Sequence, residues 1–366
     1  MKFTVENAIL KKVVRLLNFH EGPKKNAYPV SLSARRSESS QGSVSISTLE
    51  GVKFVSIHFN AEVSAEGEAL FPSKYLPYFD GESDVVRVTK TKRHLEIENP
   101  GHYAIPHHRG EIPELPQDDP RGSVTFELFE IKTLFNKILF ASGDDSDQRH
   151  NMKCILLDCS TDCIKAVGAD RTVVAVSSLS KGSPYKGRFV LPKGGVETVS
   201  RLDGDMVTLT FYDRAVAFST CGEIMVDVHM PEFASPFSRY EETMDVKGNT
   251  FLYGEKPVLL SSIAAAKKTS TDLTLTLKHL NYIKQVPKFF ARETDGGSHY
   301  CRCVPLEWTG DDIRIRVNAK TLAQAIEQTT GKVTVAFTYD IGRLSITGEG
   351  DDYRAVMVPY SPAEER

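Results

Sequence analysis

Residues 190–200 read Val190-Leu191-Pro192-Lys193-Gly194-Gly195-Val196-Glu197-Thr198-Val199-Ser200, followed by Met206-Val207-Thr208-Leu209-Thr210 and Ala215-Val216-Ala217-Phe218. The stretch predicts a short apolar strand, a Pro with a neighbouring Lys, an amphipathic helix, a polar turn and two strands of period two. The same layout occurs twice more. Leu70-Phe71-Pro72-Ser73-Lys74 leads to Val85-Val86-Arg87-Val88 and Leu95-Glu96-Ile97, and Arg316-Val317-Asn318-Ala319-Lys320 leads to Val333-Thr334-Val335-Ala336-Phe337 and Leu344-Ser345-Ile346. The three lysines, Lys74, Lys193 and Lys320, stand 119 and 127 residues apart. Self-similarity at a near-constant period is the sign of a chain built from repeated units.

The copies extend in both directions. Each is followed by a Gly, a strand and a Pro, at Gly101 to Pro106, Gly222 to Pro231 and Gly350 to Pro359. Each is preceded by a helical pattern, at Glu6 to Phe19, Glu127 to Ser142 and Glu255 to Thr271. In the first of these, Ile9, Val13, Leu16 and Leu17 recur at the spacing of one helix face. Between the two helices of the first copy, Ser43 to Ser47 and Val55 to His58 alternate as half-buried strands do. The fold class read from this is α+β: three similar domains, each with two helices packed on antiparallel sheets. The turn-rich Pro113 to Ser123 and the polar Glu241 to Gly248 mark connectors, which places the domains at 1–121, 122–245 and 246–366. Three unrelated α+β domains of similar layout remain the alternative.

Composition narrows the functional class. The chain has 366 residues, with 45 Lys plus Arg against 48 Asp plus Glu for a net charge of −3, 25% charged and 40% hydrophobic residues. This is the balance of a globular protein. No apolar run reaches the roughly 18 residues that cross a membrane. The opening Met1-Lys2-Phe3-Thr4-Val5-Glu6 puts a carboxylate where a secretory signal needs apolar residues, so a cytoplasmic location is expected. Cys154, Cys159, Cys163, Cys221, Cys301 and Cys303 lack the spacing of a zinc site and the density of a disulfide scaffold. They read as free thiols, with Cys301 and Cys303 packed rather than metal-bound.

Catalytic signatures are missing. The nearest approach to a phosphate-binding loop, Gly248 to Lys256, has the wrong spacing, and neither G-x-S-x-G nor His-Glu-x-x-His occurs. Asp144-Asp145-Ser146-Asp147 lacks the Gly and distal Glu of a calcium loop and reads as a solvated turn. His107-His108 point to opposite faces of an extended chain and make a poor joint ligand. The stretch Lys284 to Tyr300 reads as a loop packing its aromatics, with nucleic-acid contact as the alternative. No cofactor and no metal is expected.

Basic residues recur on the predicted helices. Lys11, Lys12 and Arg15 lie away from the apolar face of the first helix at 100° per residue. Lys132 and Lys137, then Lys267 and Lys268, occupy the corresponding helices, and Lys74, Lys193, Arg201 and Lys320 carry or border the second set. A basic face without base-reading residues suits phosphate contact, which is independent of sequence, permits sliding and weakens with salt.

With these residues in view, the chain resembles the bacterial sliding clamp, the beta subunit of DNA polymerase III. The likeness is carried by Met1 to Glu6, Phe135 to Leu179, Phe189 to Tyr240 with Leu191-Pro192-Lys193-Gly194-Gly195-Val196, and Val356-Met357-Val358-Pro359. The resemblance implies a non-catalytic DNA clamp, a processivity factor for the replicative polymerase. It implies a head-to-tail homodimeric ring, with the first domain of one chain against the third domain of the other. Twelve helices at about 9 Å would surround a hole of roughly 24 Å, room for double-stranded DNA. The DNA-contacting candidates are Lys11, Lys12, Arg15, Lys24, Lys25, Lys74, Arg149, Lys193, Arg201 and Lys320.

The family also implies a pocket that takes short peptides of DNA polymerase, clamp loader and repair proteins. Its wall here is expected at Met152, Ala169, Asp170, Arg171, Thr172, Val173, Val174, Pro236, Tyr240, Val356, Met357, Val358, Pro359 and Tyr360, with Val173 and Val356 equally readable as plain core strand. The chain departs from the family at Ala169 to Val174, where an Arg replaces a Gly and a His-Arg pair is lost, and in its tail Ser361 to Arg366. Two other readings stay open: a DNA-processing enzyme with an unrecognised active site, and a monomeric interaction protein that keeps the fold but not the ring.

Overall fold

The structure is a computed structural model. It describes residues 1–17, 28–37, 41–50, 53–108, 119–143, 153–232, 237, 239–280, 283–284, 286–292, 299–338 and 342–359. Helices α1 (Asn7–Leu17), α2 (Leu128–Asn136), α3 (Lys193–Val199), α4 (Tyr240–Met244), α5 (Lys256–Lys267) and α6 (Ala319–Glu327) accompany antiparallel strands. The residues fall into two compact units, one of Met1–Thr133 with Ser183–Ala234 and one of Leu134–Gly182 with Ser235–Arg366.

In the first unit, one sheet runs Gly101–Pro106, His94–Asn99, Val85–Lys90, Lys2–Glu6, Lys53–Ala65, Ile224–Pro231, Ala215–Thr220, Met206–Phe211, Gly122–Glu127. Gly67–Pro72, Pro29–Arg35 and Gly42–Glu50 extend it from the other side of Lys53–Ala65. That long strand also joins the first copy to the second, with Val55 opposite Val228 and Ile57 opposite Val226. Its burial alternates from Ile57 on, with Ile57, Phe59, Ala61 and Val63 in the core, while Lys53 to Ser56 are buried on both faces.

Helix α1 turns Ile9, Leu10, Val13, Val14 and Leu16 into the core. Its Asn7 is buried because Nδ2 donates to the Gly81 and Ser83 carbonyls, each at 2.6 Å. The predicted second helix of this copy is instead a 3₁₀ turn, Ser73–Phe79, with Pro77 inside it. Proline lacks the donor an α-helix would need there. The equivalent α3 is helical, and Gly195 lets it lie on strand Ile224–Pro231: a Cβ there would stand 2.2 Å from Met230 Sδ.

In the second unit, Cys154–Cys159, Ile164–Ala169, Val173–Leu179, Tyr353–Met357, Arg343–Gly348, Lys332–Thr338, Thr250–Glu255 and Glu307–Thr309 are neighbours in that order. A further sheet runs His299–Cys303, Lys288–Arg292, Asp272–Leu277, Ile313–Asn318. Here the second and third copies join, with Val173 opposite Met357 and Ala175 opposite Ala355. Helices α5 and α6 pack together. Asn318 Oδ1 caps α6 by accepting from the Thr321 amide at 3.0 Å. Lys256 Nζ donates to the Glu327 and Thr329 carbonyls at the other end of α6. Gly168 admits the chain just past α2, where a Cβ would meet the Ile138 carbonyl at 2.5 Å.

Three sequence expectations are corrected. The stretch Glu241 to Gly248 is not a plain connector: it begins within α4, buries Val246, and is held by Arg354 Nη2 on the Val246 carbonyl at 3.2 Å. Cys301 and Cys303 are exposed rather than packed, because their strand ends its sheet. Lys137 does not lie on a solvated basic face but pairs with Asp351 at 2.6 Å. Asp144 to Asp147 lies outside the described residues.

Candidate nucleic-acid interface and peptide groove

The candidate DNA-contacting side chains are placed helix by helix. On α1, Lys12 and Arg15 are exposed opposite the buried stripe. Lys11 is half-buried, with Nζ 4.0 Å from Asp80 Oδ1. Lys74 is exposed on the 3₁₀ turn, and its Nζ lies 4.9 Å from the centre of the Tyr75 ring. This cation–π contact fixes the ammonium without neutralising it. Lys193 opens α3 and is half-buried, Arg201 is exposed just after it, and Lys320 is exposed in the first turn of α6. Lys267 and Lys268 are exposed at the C-terminal end of α5, where the helix dipole favours positive charge. Lys24, Lys25 and Arg149 lie outside the described residues. Phe129, exposed on α2, was not marked by the sequence; it sits where an amphipathic pattern would place a polar residue.

A groove of about 660 Å³ opens in the second unit, at the join between Val173–Leu179 and Tyr353–Met357. Ala169, Asp170, Arg171, Thr172, Val173, Val174, Val356 and Val358 line it, and Thr243 and Arg343 line it as well. Its floor is core: Val173 and Val356 keep only 2% and 1% of their surface. Its rim is apolar and open at Val358, 49% exposed. The bend that shapes it is held by Asp170, whose Oδ1 accepts from the Thr172 amide at 2.6 Å, the Thr172 hydroxyl at 3.0 Å and the Val173 amide at 2.8 Å. This local bonding is what Asp supplies in a turn. The Val358 amide closes the other side on the Thr172 carbonyl at 2.9 Å.

Three expected wall residues do not line this groove. Met357 is buried on the opposite face of its strand from the groove, since neighbours along a strand alternate. Tyr240 is buried and its hydroxyl donates to Asp158 Oδ2 at 2.9 Å. Pro359 is not among the lining residues. Met152, Pro236 and Tyr360 lie outside the described residues. Arg343 was missed because it reaches the groove from a distant strand, with Nη1 on the Glu242 carbonyl at 3.2 Å; no local pattern could announce it.

Among the described residues no group of three or more His, Cys, Asp or Glu is arranged to hold a metal ion. Among them, too, no helix is long and apolar enough to cross a membrane. Burial pushes the Cys154 thiol up to about 11 and, with Asp158 and Cys163 adding to it, the Cys159 thiol up to about 12. Thiols held protonated in this way are poor nucleophiles.

Repeated units of helix and antiparallel strand joined edge to edge through their sheets define a clamp-type α+β fold. No protein-family model and no curated protein sequence matches the chain. Solved structures do. The DNA polymerase III beta subunit of Thermotoga maritima superimposes with a TM-score of 0.86 at 16% identity, over 99% of this chain and 100% of that one. The beta subunit of Pseudomonas aeruginosa gives 0.82 at 17% identity, over 98% and 99%. A sliding clamp of the same organism bound to griselimycin gives 0.82 at 16%, over 99% of each chain. The chain therefore has, along its whole length, the fold of the bacterial DNA polymerase III beta subunit.

Proposed function

We propose that this chain is a DNA sliding clamp, a non-catalytic processivity factor that encircles double-stranded DNA and tethers a polymerase to it. The observation that carries the reading is the full-length match of fold to polymerase III beta subunits. Domains at 1–121, 122–245 and 246–366 follow the recurring order of strand, helix, sheet, helix and three strands.

Exposed Lys12, Arg15, Lys74, Arg201 and Lys320, together with Lys11 and Lys193, supply a diffuse positive surface for phosphates. Contact of this kind holds a duplex without selecting its sequence. The groove around Val173, Val356 and Val358 suits short peptides of polymerase, clamp loader and repair proteins. Anchoring two apolar side chains contributes roughly 3–6 kcal/mol, which leaves micromolar or weaker affinity after association costs and lets partners exchange.

The test is topological. A head-to-tail dimer loaded on nicked circular DNA should stay bound through a salt wash and leave once the circle is linearised. Equal loss from circular and linear DNA would reject encirclement.

A further inference from the structure

Three of the residues lining the groove between Val173–Leu179 and Tyr353–Met357 are charged: Asp170, Arg171 and Arg343. The carboxylate is already engaged. Asp170 Oδ1 accepts from the Thr172 amide, the Thr172 hydroxyl and the Val173 amide, so it braces the bend of the wall. Two guanidiniums share the groove with it, Arg171 exposed on that bend and Arg343 half-buried at the start of strand Arg343–Gly348. An apolar floor, Val173 and Val356, therefore lies beside a wall of net positive charge.

Arg343 is held in place without being neutralised. Its Nη1 donates to the Glu242 carbonyl at 3.2 Å and lies 3.5 Å from the Thr243 carbonyl. Both are backbone oxygens without formal charge. Among the described residues no carboxylate pairs with Arg343, and its Nε and Nη2 make no hydrogen bond. Arg354, on the neighbouring strand, shows the contrasting structural use of the same side chain: Nε donates to the Ser345 hydroxyl at 2.8 Å and Nη2 to the Val246 carbonyl at 3.2 Å. A planar fork anchored through one nitrogen, with donors left over, suits an acceptor that carries two oxygens.

The fold does not itself call for a cation at this place. The ladder Val335–Ile346–Ala355 of the third copy repeats Leu209–Phe218–Val228 of the second, which makes Arg343 the equivalent of Ala215. Ala215 is buried, so a methyl group fills in one copy the position that a guanidinium takes in the other.

We infer that the groove reads an acidic residue in the peptides it takes. The side-chain carboxylate of an Asp or Glu, beside apolar side chains seated on Val173 and Val356, docks on the Arg343 guanidinium, with Arg171 as the second cation. The inference rests on the peptide-groove reading above and adds to it the chemistry of the partner. Arg343 then sets specificity, because an amide at that place of the peptide forfeits the charge and a basic residue is repelled.

A library of random heptapeptides selected on the full chain provides the test. The parent should enrich sequences with Asp or Glu next to an apolar pair, and replacing that acid by its isosteric amide should weaken binding about tenfold in fluorescence anisotropy. Arg343→Gln should bring the acid-to-amide ratio close to one, and Arg343→Lys should keep part of it. Arg171→Gln, on an exposed bend, should lower the ratio in the same direction. In the parent the ratio should also shrink as salt rises. A ratio independent of salt, or an Arg343→Gln variant that binds acid and amide peptides with the parent's ratio, would overturn the inference. Enrichment of apolar peptides without an acid would overturn it too and leave the peptide groove standing. Selected peptides that still bind after Val358→Asp, or a library that yields none, would overturn the groove reading itself.

Discussion

Lys137 Nζ lies 2.6 Å from Asp351 Oδ1, with only 16% and 2% of the two side chains exposed. The pair ties the residue just past α2 to the turn before strand Tyr353–Met357, which bridges the second and third copies within one compact unit. Asp351 Oδ2 also accepts from the Thr330 amide at 3.0 Å, so the carboxylate is satisfied on both oxygens. Lys137 Nζ stands 6.0 Å from the centre of the Tyr353 ring. Burial, with Asp351 adding to it, pushes the Tyr353 phenol up, which keeps that ring neutral.

Removing one member of a buried pair strands the other charge. Lys137→Met should therefore lower unfolding stability by about 3 kcal/mol, while the double change with Asp351→Leu should recover much of the loss. Urea denaturation of the three variants provides the measurement. A single-variant loss below about 0.5 kcal/mol, the level of an ordinary surface change, would show the pair to be dispensable.

The exposed cations of α1 should act through phosphates. Lys12→Glu with Arg15→Glu should leave the fold intact, because both side chains point away from Ile9, Val13 and Leu16. The slope of log affinity against log salt should fall by about 0.9 for each phosphate no longer neutralised. A slope unchanged from the parent would remove α1 from the DNA-binding surface. Lys11→Glu should have a smaller effect, since Asp80 already lies beside it.

The groove separates rim from floor. Val358→Asp places a charge at an exposed apolar position and should abolish peptide binding while leaving the melting temperature close to that of the parent. Met357→Ala, one residue away but buried, should cost roughly 2–5 kcal/mol of stability. Fluorescence anisotropy with a polymerase-derived peptide, read beside thermal melts, distinguishes the two. Peptide binding that survives Val358→Asp would place the docking site elsewhere.

Thiol labelling at pH 8 should divide the cysteines. Cys154 and Cys159, raised to about 11 and about 12 and buried, stay protonated and should not react until the chain unfolds. Cys221, Cys301 and Cys303 are exposed and should react first. Because the folded state holds protons on Cys154 and Cys159 above the ordinary thiol value, stability should fall as pH rises beyond about 9. A flat stability profile from pH 8 to 10.5 would contradict that burial.

Much of the architecture was legible along the chain, because it depends on local periodicity. The closing strand expected at Gly101 to Pro106 is the observed one, residue for residue. The helical pattern from Glu6 yields α1, and the one from Glu255 yields α5, the latter shorter at its C-terminal end. Pro77 within Ser73–Phe79 was in plain view, yet the repeat pattern suggested an α-helix where the chain forms a 3₁₀ turn.

What the chain by itself determined was the class of fold, since strand and helix periods record which face each segment buries. Which long-range partners those segments take depends on pairing that no short window encodes. Lys137 reads as one more surface cation until Asp351 arrives beside it, more than two hundred residues later. Arg343 enters the groove, and Met357 leaves it, only when strand Val173–Leu179 settles against Tyr353–Met357. A one-residue change of register there would exchange floor for core, so tertiary pairing, not composition, decides what the groove presents to a partner.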